Sequence, residues 1–293
     1  MNDKVKYVWW LGILLLSGCE FKNTESFREQ YELEKLWSTS EGLIGCESVV
    51  FDHTTNSFYV SNSSAYDFTG KGYLSKYSAD GDLIDSAWVT GLNRPTGMAI
   101  LDDRLFIGDI NRLVEVNIPA GEIINEYQLN GDDVPGLNDV AISHVGEVYV
   151  TASNHHAVYK LEENKLKLWV RDTMKLKWAN GIVAAKKHLL VAGNSLAKIY
   201  DETRRTDLVQ MSKDVNDFDG LQVLSGDGYL VSSAGGKNCI WYVSESGISK
   251  TLIRSENYFA DFEFLSNTNK LVVATGNNAT NTYELVCYRI IKN

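Results

Sequence analysis

The segment Asp219-Gly220-Leu221-Gln222-Val223-Leu224 runs through a Ser225-Gly226-Asp227-Gly228 turn into Tyr229-Leu230-Val231-Ser232. An oxygen-bearing residue opens a short apolar strand, a tight turn follows, and a second apolar strand returns. The same phrase begins at Glu47, Thr96, Asn138, Asn180, Asp219 and Asp261, at spacings of 39 to 49 residues. The second strands keep step: Val60, Ile107, Val150, Val191, Val231 and Val273 lie 11 to 13 residues after the opening residue. A period near forty residues with two strands at a fixed offset marks a radial repeat.

Further strands lie outside these two. A third follows in every repeat, over 72–78, 112–118, 157–163, 197–203, 239–245 and 284–290. A fourth follows in the first five, over 83–89, 123–129, 166–172, 206–212 and 249–255. The runs are β-branched and aromatic, with Gly, Asn, Asp and Ser between them. Four short antiparallel strands per repeat make a propeller blade. The sixth repeat lacks a fourth strand, and an open edge invites aggregation. The segment Tyr31-Glu32-Leu33-Glu34-Lys35-Leu36-Trp37 resembles the fourth strand of the third repeat and is expected to complete the last blade. The spacing therefore predicts an all-β, six-bladed β-propeller over 31–293, closed by an N-terminal strand.

In such a ring the first strand of each blade is innermost. The six opening residues, the loops entering the first strands and the loops leaving the second strands crowd one end of the central channel. The other face is expected to carry only tight turns, such as 52–56 and 225–228.

The 293 residues are 44% hydrophobic and 23% charged, enough for a large core. Lys4 and Lys6 precede an apolar run, Val8 to Leu16, too short to span a bilayer as a helix. Leu16-Ser17-Gly18-Cys19 then looks like a bacterial lipobox. Residues 1–18 are expected to be a lipoprotein signal peptide, Cys19 the lipid attachment site, and 19–30 a flexible lipidated tether. A simple secretory signal with a chance Cys is the plainer alternative. Glu20 after the Cys favours the outer membrane, facing the periplasm, over inner-membrane retention in a Gram-negative envelope. The net charge of −10, without a basic stripe, argues against nucleic acid and for membrane contact through lipid only. A monomer is expected. Cys46, Cys239 and Cys287 remain, and buried thiols are the expected role, although a Cys239–Cys287 bridge stays open.

Every opening residue carries an oxygen, and three are carboxylates. Converging carboxylates and amide carbonyls suit a hard cation such as calcium, which takes six to eight oxygen ligands. The absence of His and Cys from the column argues against zinc or copper. A polar channel that merely holds water is the alternative reading of the same residues.

Glu47-Ser48, Leu137-Asn138-Asp139-Val140, Asn180-Gly181-Ile182 and Asp219-Gly220-Leu221 together resemble the senescence marker protein/gluconolactonase/luciferin-regenerating enzyme family, the regucalcin-like six-bladed propellers. The resemblance spans about 31–293. It implies a divalent cation, typically calcium, held by Glu47, Asn180 and Asp219, with Asn138 completing the site or touching substrate. It also implies hydrolysis of a small lactone or ester, with the metal polarising the carbonyl and Asp219 as base or nucleophile. Two departures stand out. Gly136 occupies the place of the Arg that sugar-lactonase members carry, which weighs against a polyol substrate. The first motif is Gly45-Cys46-Glu47-Ser48 rather than Gly-Glu-Gly-Pro.

Around the mouth, Arg94 and Trp178 sit just before opening residues and are candidate substrate contacts or loop braces. Thr96 and Asp261 of the column, and Asp139 next to Asn138, are further candidate substrate contacts. His155, after a second strand, could donate a proton to a leaving group or lie with His156 on the surface. The loop 61–72, with Tyr66 and Phe68, is a candidate lid. No nucleophile elbow is present. A non-catalytic ligand- or protein-binding propeller with a structural ion is the competing class. Condensation chemistry of the strictosidine-synthase type is a weaker third.

Overall fold

The computed structural model describes residues 31–211, 217–224, 228–233 and 237–292. The signal-peptide, lipid-attachment (Cys19) and tether expectations lie outside them. Among the described residues all regular structure is β, in six four-stranded antiparallel sheets.

The first sheet holds β2 (Cys46–Asp52), β3 (Ser57–Asn62), β4 (Gly72–Ser78) and β5 (Leu83–Leu92). The second holds β6 (Pro95–Leu101), β7 (Arg104–Asp109), β8 (Arg112–Asn117) and β9 (Glu122–Gln128). The third holds β10 (Leu137–Ile142), β11 (Val148–Ala152), β12 (Ala157–Glu162) and β13 (Lys165–Arg171). The fourth holds β14 (Ile182–Ala185), β15 (His188–Val191), β16 (Ala197–Tyr200) and a short β17 (Thr206–Leu208). The fifth holds β18 (Phe218–Leu224), β19 (Gly228–Ser233), β20 (Cys239–Val243) and β21 (Ser249–Arg254). The sixth holds β22 (Tyr258–Leu265), β23 (Lys270–Asn277), β24 (Thr282–Lys292) and, as its outer strand, β1 (Tyr31–Thr39).

Burial explains the strand sequences. β3, with sheet neighbours on both sides and blades packed on both faces, is buried along its whole length, and Ser-Phe-Tyr-Val-Ser-Asn accordingly does not alternate. The outer strands β5 and β9 expose most of their residues and carry Asp, Glu and Asn. Six apolar clusters, one between each pair of adjacent blades, make the ring continuous. Val49, Phe58 and Val60 of the first blade, for example, pack against Ala260, Val272 and Leu285 of the sixth.

Closure is as the N-terminal segment predicts. β1 pairs with β24 from Tyr31 opposite Lys292 to Thr39 opposite Leu285. Tyr31 is 4% exposed and its ring lies 5.0 Å from that of Tyr242 in the fifth blade. Cys46, Cys239 and Cys287 are free and buried. The Cys46 thiol is pushed up to about 12 by burial, with Glu47 adding to it, so it packs rather than reacts.

The innermost strands share one irregularity. Their register slips between Cys46 and Val49, Pro95 and Met98, Leu137 and Val140, Phe218 and Leu221, and Phe259 and Phe262. Two residues there oppose one on the second strand, which is a β-bulge. The fourth blade makes the same step, with the Asn180 N–H bonded to the Ala192 carbonyl and the Ala192 N–H to the Gly181 carbonyl, each at 2.7 Å. The bulge pairs are Glu47-Ser48, Thr96-Gly97, Asn138-Asp139, Asn180-Gly181, Asp219-Gly220 and Ala260-Asp261. Ala260 therefore takes the first position in the sixth blade. Asp261, which the sequence phrase aligns with that column, sits one residue further along, level with Ser48 and Asp139. A one-residue slip in a strand reverses the face a side chain presents, so the correction changes its surroundings.

A chain lacking residues 31–39 is expected to melt at lower temperature and to self-associate through the bared edge of β24. Thermal scanning with light scattering measures both; unchanged stability would show that β1 is not needed for closure.

Candidate functional site

The six bulges are tied to one another around the channel. The Ser48, Asp139 and Gly220 N–H groups, which the bulge removes from the ladder, donate to Ser61 Oγ (2.9 Å), Thr151 Oγ1 (2.9 Å) and Ser232 Oγ (2.7 Å). Thr151 and Ser232 then donate to the bulge carbonyls of the next blade, Asn180 and Ala260, at 2.7 Å each. Thr96 Oγ1 donates to the Asn138 carbonyl (2.8 Å), and the Gly181 N–H donates to the Asp219 carbonyl (2.9 Å). Ser48 Oγ donates to Asp261 Oδ2 (2.6 Å) across the junction of the first and sixth blades. Arg94 and Glu47 form an ion pair across the junction of the first and second. Every inter-blade step thus carries a polar link at one height.

This packing is so close that glycine is required at some second bulge positions. A Cβ on Gly97 would lie 2.0 Å from Asp139 Oδ1, and one on Gly220 would lie 2.6 Å from Asp261 Oδ1. The two carboxylates cover the neighbouring glycines.

Above the belt the channel opens into a cavity of about 540 Å³ lined by Glu47, Arg94, Asp219, Tyr66, Tyr258 and Tyr283, among others. A side recess of about 200 Å³ adds Asn180 and Trp178 against Asp219. Arg94 is held from behind. Buried Asp109 accepts the Arg94 N–H (2.6 Å) and the Asn93 N–H (3.0 Å), and Arg112 Nε bonds the same carboxylate (2.8 Å). The Arg94 guanidinium then reaches Glu47 and lies 5.3 Å from the Tyr66 ring.

Carboxyls outnumber cations here. Burial pushes the Asp219 carboxyl well above its usual range, and the neighbouring charges of Glu47 and Asp261 push it further; Arg94 and the Asn180 amide oppose the shift. Asp261 is raised to about 6 by burial, against the bond from Ser48, and Glu47 adds to the rise. Asp139 is raised well above the usual range by burial and Asp261, although it accepts the Ile182 and Val140 N–H groups at 2.8 Å each.

The structure brings Glu47, Asn180 and Asp219 together at one height, with Asn138 on the intervening side of the ring. Asn138 Nδ2 donates to Ser153 Oγ (3.2 Å), and Asn138 is not among the residues lining the mouth cavity or the side recess. Among the described residues no three His, Cys, Asp or Glu side chains converge as a metal cluster. The candidate set has two carboxylates and two amides. All four donors are oxygens, and the uncompensated negative charge around them suits a hard divalent cation.

The remaining sequence candidates divide. Arg94 and Trp178 reach the mouth. Trp178 does so at a left-handed backbone position (φ 55°), with its N–H bonded to His156 Nδ1 (3.1 Å). Thr96 and Asp139 are buried struts of the belt. Asp261 bonds Ser48 below the mouth. His155 does not line the mouth cavity; its Nδ1 bonds the Tyr159 hydroxyl (2.7 Å), and its Nε2 lies 2.9 Å from Asp133 without a hydrogen bond. Tyr66 of the 61–72 loop does line it, half exposed. Tyr258, Tyr283, Asn278 and Asn281 also line it and were not anticipated. The rule that loops leaving second strands face the mouth points to Asn278, just past β23, when applied to the sixth blade.

No protein-family model and no curated protein matches the sequence. Solved structures match its fold. A luciferin-regenerating enzyme is 13% identical with a TM-score of 0.65, over 88% of this chain and 95% of that one. A gluconolactonase from Xanthomonas campestris is 14% identical at 0.64, over 87% and 89%. Virginiamycin B lyase from Staphylococcus aureus is 12% identical at 0.60, over 87% and 99%. At these identities the likeness establishes the six-bladed propeller fold that the first two share with the family resemblance read from the motifs.

In the folded ring Asp261 keeps its proton up to about pH 6, whereas an ordinary Asp releases it near 3.8. The folded state therefore loses stability as pH rises from about 4 to about 6. Asp261→Asn is expected to stabilise the metal-free protein at pH 8 by on the order of 1–3 kcal/mol, with little effect at pH 4. Denaturant melts at the two pH values test this, and equal effects at both would refute it.

Proposed function

We propose that this chain is a metal-dependent hydrolase of a small lactone or ester. Glu47, Asn138, Asn180 and Asp219 would hold a divalent cation, calcium by preference, at the channel mouth. The observation that supports this most directly is the all-oxygen donor set on the bulges, short of positive charge, beside the mouth cavity. When bound, the cation would act as a Lewis acid toward the carbonyl oxygen. The gluconolactonase among the structural neighbours has the same fold and is consistent with this chemistry.

The chain's own residues divide the remaining work. Asp219, enclosed and flanked by Glu47, is the base that takes a proton from the attacking water. Arg94, fixed by Asp109, balances Glu47 and offers its free N–H groups to the substrate's polar edge. Tyr66 closes over the guanidinium from the 61–72 loop and excludes water. Tyr258 and Tyr283 form a wall for a modestly apolar acyl or aryl group. With Gly136 beside Asn154 and Tyr66, no guanidinium from that position reaches toward a polyol. Anchoring through a lipid on Cys19 in the cell envelope completes the proposal.

A second reading is favoured by the Arg94–Glu47 ion pair, which already satisfies one donor: a ligand-binding propeller in which any ion is structural.

A panel of lactones and aryl esters, assayed with calcium and with chelator on the chain from Glu20, separates the two. Chelator-sensitive turnover that falls at least about 100-fold in Asp219→Asn, with the ring still folded, is the expected result. Turnover indifferent to both would remove the metal and Asp219 from the reaction. Calcium at about a hundred times its Kd is expected to add about 2.7 kcal/mol of stability. Stabilisation without turnover would select the binding reading.

A further inference from the structure

Below the belt the channel widens again toward the opposite face, where the sequence predicts nothing but tight turns. The next channel-facing layer is one residue from each inner strand: Val50, Ala99, Ala141, Val183, Gln222 and Glu263. They share a register position, paired with Tyr59, Phe106, Tyr149, Leu190, Leu230 and Val272 of the second strands. All six line a cavity of about 390 Å³ that is distinct from the mouth. Four are small and apolar. The two polar ones are adjacent, on the fifth and sixth blades.

Glu263 dominates this chamber. Its side chain is half-buried, and burial pushes its carboxyl up to about 8, with Asp261 adding and the Phe51 N–H opposing; no cationic group acts on it. No Lys or Arg is among the described residues lining the chamber, which also include Asp52, Asp102 and the imidazole of His53. Gln222 Nε2 is engaged with the Phe262 carbonyl (3.4 Å), which leaves Gln222 Oε1 as an acceptor.

We propose that this lower chamber is a second binding site, separate from the mouth, for a small primary amine with an alkyl or aryl body. The ammonium sits against the Glu263 carboxylate and Gln222 Oε1, and the body lies along Val50, Ala99, Ala141 and Val183. An ammonium has three N–H groups, and these two side chains present three oxygens. A half-buried carboxylate lining a chamber with no counter-charge is under-compensated, and an ammonium supplies that charge. A calcium ion would find too few oxygens among apolar walls. Anions are repelled by the acidic lining. A neutral alcohol leaves the charge of Glu263 unmatched.

The test is calorimetric titration of the full folded chain with n-hexylamine at pH 8, with n-hexanol and hexanoate as controls. The expected result is saturable one-to-one binding of the amine alone. Glu263→Gln, which removes the charge at constant shape, and Ala141→Phe, which fills the chamber, should each weaken it at least tenfold. Asp219→Asn at the mouth should leave it unchanged. Thermal melts establish that each variant is folded, and if Glu263→Gln does not fold, Ala141→Phe decides. The proposal is overturned by absence of saturable binding, by binding that survives Ala141→Phe, by loss in Asp219→Asn, or by hexanol binding as tightly as the amine.

Discussion

The hydrogen bonds that run from bulge to bulge around the channel are the constraint on which the rest depends. A propeller blade is held to its neighbours mainly by apolar packing, which is non-directional and tolerates sliding. The belt adds direction. Ser61, Thr151 and Ser232 take up the N–H groups that the bulges strand, and Thr151 and Ser232 pass the bond to the next blade. Backbone atoms are thereby fixed at one height in all six blades. Side chains at the first bulge position converge because the backbone beneath them cannot move independently.

Convergence concentrates charge. Glu47, Asp139, Asp219 and Asp261 act on one another across the ring, and Arg94 is the cation that opposes the upward shift of Asp219. Asp139 and Asp261 are partly absorbed by structure, through the Ile182 N–H and Ser48 Oγ. Glu47 and Asp219 face the mouth. One guanidinium cannot neutralise that set, and the same imbalance recurs one layer lower at Glu263. The channel is thus a column of acidity divided by the belt into an upper, polar chamber and a lower one of mixed lining.

Much of the fold was legible because period and alternation are properties of the chain alone. Six phrases, their second strands and the closing segment 31–37 appear in the paired strands. The fourth blade's outer strand is shorter than its apolar run suggests, β17 covering Thr206–Leu208 only. The position of a candidate side chain was legible where it follows from register, as for Glu47, Asn180 and Asp219, which open the inner-strand bulges. It failed where register was ambiguous. Phe259-Ala260-Asp261-Phe262 reads equally well one residue out, and only strand pairing separates Ala260 from Asp261. His155 depended on side-chain direction, and its ring bonds the Tyr159 hydroxyl instead of lining the mouth. Tyr258, Tyr283 and Glu263 depended on which walls the cavities touch, a property of the assembled ring.

The pairing of β1 with β24 also governs the order in which the molecule can form. Among the described strands, the outer strand of the sixth blade is made first and its partner last, so residues 31–39 wait for 285–292. Closing so long a loop is entropically slow, and contacts of that sequence separation delay folding. Until the final strand emerges, the first segment has no edge to join and the last apolar cluster stays open. The ring is therefore an open arc throughout synthesis and becomes a cooperative unit in a single late step.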